Sequence, residues 1–170
     1  MSDRSAAPGG LALVESLVNS LNLETGADML DGAEGRDRLG ITEGGLAQAR
    51  ELRESLRAAL LAHAGHPPHR TVTPLGELLA RAPLYVAVDD HDGSATLAPA
   101  DSGPLLSRVA AAVAEALVAG TWTRLKACEA ETCHWAYYDR SPAGRGRWCS
   151  MQVCGARAKM RRYRAKEAER

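Results

Sequence analysis

Phenylalanine is absent from this sequence, and three tryptophans and four tyrosines are its only aromatic residues. A core built from it must rest mostly on Leu, Ala and Val. Long apolar runs are missing too, so no segment is expected to cross a bilayer as a helix. No early stretch has the order of a signal peptide. Cysteine is missing from everything before Cys128. With no export route in view, a disulfide framework is disfavoured, and thiols in a reducing cytoplasm point to metal binding or redox chemistry. Also absent are HExxH, a nucleophile elbow, a Walker A loop and a dinucleotide fingerprint. No enzyme is expected, since Asp89, Asp90 and Asp92 flank a turn and need no catalytic role.

Net charge is lacking as well: 21 Lys/Arg balance 21 Asp/Glu. The balance hides a split. Residues 121–170 hold 12 Lys/Arg and 5 Asp/Glu, hence +7, and residues 1–120 hold 9 and 16, hence −7. Such asymmetry suggests a polyanion-binding module beside an acidic body that could shield it.

Residues 1–10 read as a flexible tail. Leu13, Leu17 and Leu21 form a helical stripe in LALVESLVNSLN, where Asn19 is expected to be a satisfied core amide or a cap. Residues 23–43 are polar and glycine-rich and read as a loop. Leu46, Ala49, Leu52, Leu56 and Leu60 line one face of a helix over 45–64, with Arg and Glu on the other. Gly65, Pro67 and Pro68 stop it. His63, His66 and His69 have an H-x2-H-x2-H spacing, but the prolines break their alignment, so a solvated loop is expected. Thr73-Pro74 opens a short helix with Leu75, Leu78 and Leu79. LYVAVDDHDGSATLAPA reads as a hairpin turning at Asp92-Gly93. Residues 104–119 form an apolar helix begun by Pro104 and stopped by Gly120, the natural domain boundary, with Trp122 placed to dock the second part onto the first.

Beyond that boundary lie all four cysteines, as Cys128-x4-Cys133, fifteen residues, then Cys149-x4-Cys154. Two close pairs separated by a short stretch suit one tetrahedral four-thiolate zinc ion, a structural site with no coordination position left for catalysis. HWAYYDR reads as a strand and RWC as its returning partner. A helix follows from about Val153 to Ala168, with Cys154 at its start, a treble-clef-like layout. Val153, Ala156, Met160 and Tyr163 share a stripe expected to be buried. Arg157, Arg161 and Arg164 lie on one flank, Lys159, Arg162 and Lys166 on the other, and Arg145 and Arg147 sit in the preceding turn. Six Lys/Arg stand between 157 and 166 with no acid among them, whereas a merely solvated helix would mix signs. Such a helix fits a DNA major groove. Trp135, Tyr137, Tyr138 and Trp148 are expected to pack beside the metal, Tyr138 being the exception if one of them stacks on bases.

The run CEAETCHWAYYDRSPAGRGRWCSMQVCGARAKMRRYRAK resembles the CGNR-type zinc finger, with its paired C-x4-C pattern, its Trp148-Cys149-Ser150-Met151 stretch and its basic helix. The signature tetrapeptide reads Cys154-Gly155-Ala156-Arg157, with Ala156 where that family has Asn. The resemblance implies an N-terminal ABATE-type domain, the ligand-responsive part of a transcription regulator, and LALVESLVNSLN and ARELRESLRAAL are similar to its opening. The loop at 24–43 is shorter than in many members.

The expectation is an α+β chain: an ABATE-like helical domain with a β-hairpin over 11–120 and a CGNR-like zinc finger over 121–170. It would act on double-stranded DNA in the cytoplasm, under a small-molecule effector, with a homodimer to pair half-sites. The competing reading is a zinc-thiolate redox or protein-docking module without sequence-specific DNA binding.

Overall fold

The computed structural model describes residues 5–168, so the first four residues of the expected tail lie outside the described residues. In chain order the elements are α1 (Leu11–Val18), α2 (Ala33–Leu39), α3 (Leu46–His63), α4 (Leu75–Leu79), β1 (Leu84–Val88), β2 (Ala95–Pro99), α5 (Leu105–Val118), β3 (Leu125–Ala127), β4 (Ala136–Tyr138) and α6 (Ala156–Ala168). The class is α+β. A mainly helical body carries one antiparallel hairpin, β1–β2, and a second strand pair, β3–β4, leads into the four-cysteine cluster and its helix.

The leucine stripe of α3 buries Leu52, Leu56 and Leu60 against α1 and α5. In α1 the buried face is Leu11, Val14, Leu17 and Val18. Leu13 is only partly buried, and the helix stops before Leu21. α5 contributes Val109, Ala112, Val113 and Ala116. Small side chains let these helices approach closely, which is how a core without Phe fills its volume.

Three expectations need correction. Residues 23–43 are not all loop: they contain α2, whose sequence AEGRDRL has no apolar stripe to announce it. Tertiary hydrogen bonds hold it instead. Arg36 donates to the carbonyls of Leu30 and Asp31 at 2.9 Å each, and Gly40, at φ +62°, ends the helix. The strand partner of β4 is β3, with Leu125 opposite Tyr138 and Ala127 opposite Ala136. Arg147-Trp148-Cys149 forms no strand. Residues 5–10 are tied down: Ala7 is buried and donates to Glu15 at 2.7 Å, while Arg140 donates to the carbonyls of Ser5 and Ala6.

The main core does not stop at Gly120. Leu125, Ala127 and Ala136 belong to it, so β3 and β4 are packed into the helical body. Two polar devices reinforce this join. Asn19 caps α1 and pairs with Ala136 like a strand residue, accepting from its N–H at 2.7 Å and donating to its carbonyl at 3.0 Å. Arg57, fully buried, donates to Val18 O at 2.8 Å on α1 and to His134 O at 3.0 Å just before β4.

The polar face of α3 is therefore not solvated along its length: Arg53, Glu54 and Arg57 are all buried. Glu54 bonds Arg53 at 2.8 Å and Arg57 at 3.2 Å, and Arg53 reaches Asp28 at 2.8 Å. Burial alone would raise the Glu54 carboxyl, but the Arg57 charge and the hydrogen bond from Arg53 outweigh it and hold the group below its ordinary value. A carboxylate so lowered stabilises the fold above its unfolded pKa, about 4.3. That stabilisation is lost as pH falls through the depressed folded value. Glu54→Gln should thus cost about 3–5 kcal/mol at neutral pH by leaving the buried Arg57 guanidinium without a carboxylate and Arg53 with Asp28 alone. Its gap to the wild type in urea unfolding should narrow as pH drops below about 4. An equal gap at all pH values would contradict this.

Candidate metal centre and basic helix

The four thiols of Cys128, Cys133, Cys149 and Cys154 have their sulfurs within 4.8 Å of one another. Cys133 to Cys149 is 3.6 Å and Cys149 to Cys154 is 3.7 Å. A zinc–sulfur bond of about 2.3 Å in a tetrahedron places sulfurs roughly 3.8 Å apart, and a disulfide would bring them to about 2 Å. The donor set therefore fits a zinc ion and not a pair of disulfides.

Protonation chemistry agrees. Cys128 is pulled down by the hydrogen bonds it accepts from Cys133 and Cys149. Cys133 and Cys149 are pushed up, first by donating to Cys128, and burial raises Cys154. Four thiolates cannot share this volume without a cation, and a divalent ion supplies the charge that lets all four ionise.

Backbone geometry builds the cluster. Strand β3 runs directly into Cys128. The first knuckle closes with Cys133 N–H on Ala130 O at 2.8 Å. His134 then takes φ +45°, the only positive φ of a non-glycine among the described residues. It is held there at both ends: its ring meets Cys128 O at 3.1 Å and its carbonyl accepts from Arg57. In the second pair, Ser150 caps the turn Met151–Gly155 by accepting from Val153 N–H at 3.3 Å. This π-helical turn buries Cys154 and passes into α6.

The connecting loop is organised by Asp139, a buried carboxylate. It receives Lys126 Nζ at 3.0 Å, Ser141 N–H at 3.0 Å and Gly146 N–H at 2.7 Å. Burial would raise it, but the hydrogen bonds from Ser141, Lys126 and Gly146 hold it well below the carboxylate range. Gly146 must stay a glycine, because an added Cβ would lie 2.8–3.0 Å from the carboxylate. The loop carrying Arg145 and Arg147 is thereby given one shape.

From the metal cluster α6 extends without burying any residue. The stripe expected to be buried is exposed: Val153 by 48%, Met160 by 51% and Tyr163 by 57%. Periodicity found the stripe correctly, but among the described residues nothing folds back to cover it. Arg145, Arg147, Arg157, Lys159, Arg161, Arg162, Arg164 and Lys166 are all exposed. Two are engaged: Arg147 pairs with Glu129 at 2.7 Å and lies over the Trp148 ring, and Arg157 pairs with Glu24 of the acidic body at 3.0 Å.

Residues 11–120 match the family model ABATE, described as "Putative stress-induced transcription regulator". The chain belongs to the ABATE family. Residues 124–167 match the CGNR zinc finger. No curated protein matches.

In this ABATE chain the aromatics sort largely as expected. Tyr137, Trp135 and Trp148 pack with the cysteines, and Tyr137 donates to Gly146 O at 2.7 Å. Tyr138 packs on the main core with Arg140 over its ring. The three histidines at and after the end of α3 are not a solvated loop, and they are not brought together as ligands. Each faces the finger: His63 meets Leu125 O at 2.7 Å and the Trp122 edge, His66 meets Glu129 at 3.3 Å, and His69 lies beside His134 while bonding Glu54 at 3.0 Å.

The sequence reading missed Arg57, Glu54, Lys126 and Asp139. One signal was present: Arg53 and Arg57, four apart on α3, flank the leucine stripe closely enough to be drawn under the finger.

Because β3 and β4 share the body's core, metal loss should destabilise the whole chain. Purified protein should contain one zinc per chain. Chelation should lower a single cooperative melting transition by about 10 °C or more, which corresponds to roughly 3–5 kcal/mol at this length. Two separate transitions, with the helical one unmoved, would contradict the shared core.

Proposed function

We propose that this ABATE protein is a non-enzymatic DNA-binding regulator whose zinc module aims α6 at the major groove. The observation that carries the reading is the exposure of eight Lys/Arg on α6 and the loop before it, beside a four-thiol centre that fixes the helix start. Six of the eight are like charges on one unsupported helix. Isolated helices of this length are marginal in water, and like-charged neighbours weaken them further. Phosphates supply the counter-charge, and Arg side chains suit guanine edges. In this reading α6 gains stability on DNA, and the apolar stripe meets thymine methyls.

The metal is structural, one ion held by Cys128, Cys133, Cys149 and Cys154. Among the described residues no helix is long and apolar enough to cross a membrane. A regulator acting on the chromosome works in the cytoplasm. An effector of the body would enter the cleft of about 260 Å³ between the start of α3 and the start of α5, lined by Ile41, Thr42, Gln48, Leu52, Pro104 and Leu106. Its size admits only a small ligand.

One observation favours the competing docking reading: the exposed Val153, Met160 and Tyr163 row could receive a protein. The two separate cleanly. Arg161→Glu with Arg164→Glu should abolish DNA binding, by at least about a hundredfold at moderate salt, while zinc content and body stability stay unchanged. Unaltered DNA affinity in that variant would move docking to first place.

A further inference from the structure

The hairpin β1–β2 is left unexplained by the finger and by the regulator reading. Its sheet has only two strands among the described residues, and Val86 and Val88 are 62% and 59% exposed. The ladder phase says which backbone groups are free. Ala100 donates to Pro83 O at 3.1 Å and Asp89 to Ser94 O at 2.8 Å. In the antiparallel register those hydrogen-bonded pairs alternate with non-bonded ones. Tyr85 and Ala87 therefore bond to β2, and Leu84, Val86 and Val88 aim N–H and C=O away from it. Those outward groups have no partner among the described residues. The outer edge of β2 is poorer, because its outward position Pro99 has no N–H.

We propose that the β1 edge is an interface with a second copy of this chain, the two β1 strands pairing antiparallel about a two-fold axis through Val86. Only outward-facing residues can exchange ladder bonds, and this register uses them all: Val86 meets its own counterpart, and Leu84 meets Val88 at either end. LYVAV carries no charge, so self-pairing sets no like charges side by side. The flanks are complementary. Arg81 precedes the strand and Asp89 and Asp90 follow it. All three are exposed and outside any ion pair among the described residues. In this register Arg81 of each copy falls opposite His91 of the other, one residue from Asp90 and two from Asp89. The product is a four-stranded sheet in the order β2-β1-β1-β2, an isologous contact. Five residues a side make a small interface, so assembly depends on concentration.

The test needs no DNA, so it can fail without touching the regulator reading. Sedimentation equilibrium of the zinc-loaded full chain should show a monomer–dimer equilibrium. Val86→Lys, which sets two ammonium groups on the axis, should leave only monomer with an unchanged circular dichroism spectrum. Arg81→Asp should weaken the dimer on the order of tenfold, about 1.4 kcal/mol. Adding Asp90→Arg to that chain should restore it. Monomer at every concentration, including the case where the edge instead takes an extended segment of another protein, overturns the proposal. So does a dimer indifferent to Val86→Lys, or one that the paired charge reversal fails to restore.

Discussion

Four sulfur atoms drawn within 4.8 Å of one another can all be thiolates only around a cation, and much of the C-terminal structure follows from that demand. The cluster begins where β3 ends, is followed directly by His134 in its left-handed conformation, and includes Cys154 in the turn from which α6 departs. Zinc-finger peptides gain roughly 10–16 kcal/mol from their metal. That is ample to hold a segment whose own apolar cluster is Tyr137, Trp135, Trp148 and little else.

The finger is not an appendage, however. Arg57 reaches out of the helical body to the carbonyl of His134, inside the first knuckle, and Asn19 pairs with Ala136. Burying a guanidinium is costly unless its charge and its hydrogen bonds are answered, and Glu54, Val18 O and His134 O answer them here. Arg57 and Asn19 thereby tie α1 and α3 of the body to the backbone beside the first cysteine pair.

Several features were legible in the residues because they repeat. The leucine row of α3, the apolar run of α5, the Asp92-Gly93 turn, where Gly93 has φ +71°, and the four-cysteine spacing each encode local geometry. What could not be read was tertiary. α2 has no stripe, since Arg36 holds it by bonds to distant carbonyls. β4 chose Leu125–Ala127 over Arg147–Cys149 because the former brings Leu125 and Ala127 into the core. The α6 stripe has ideal helical spacing, yet spacing says only which residues share a face, not whether anything covers it. His63, His66 and His69 looked idle because their partners lie some sixty residues further along the chain or across α3.

The most direct test of the regulator account mixes full-length, zinc-loaded protein with sheared genomic DNA from its source, then recovers and sequences the bound fragments at two salt concentrations. The account predicts a short shared motif that survives the higher salt. Uniform recovery that vanishes with salt would mean phosphate attraction alone, and would contradict sequence recognition by α6.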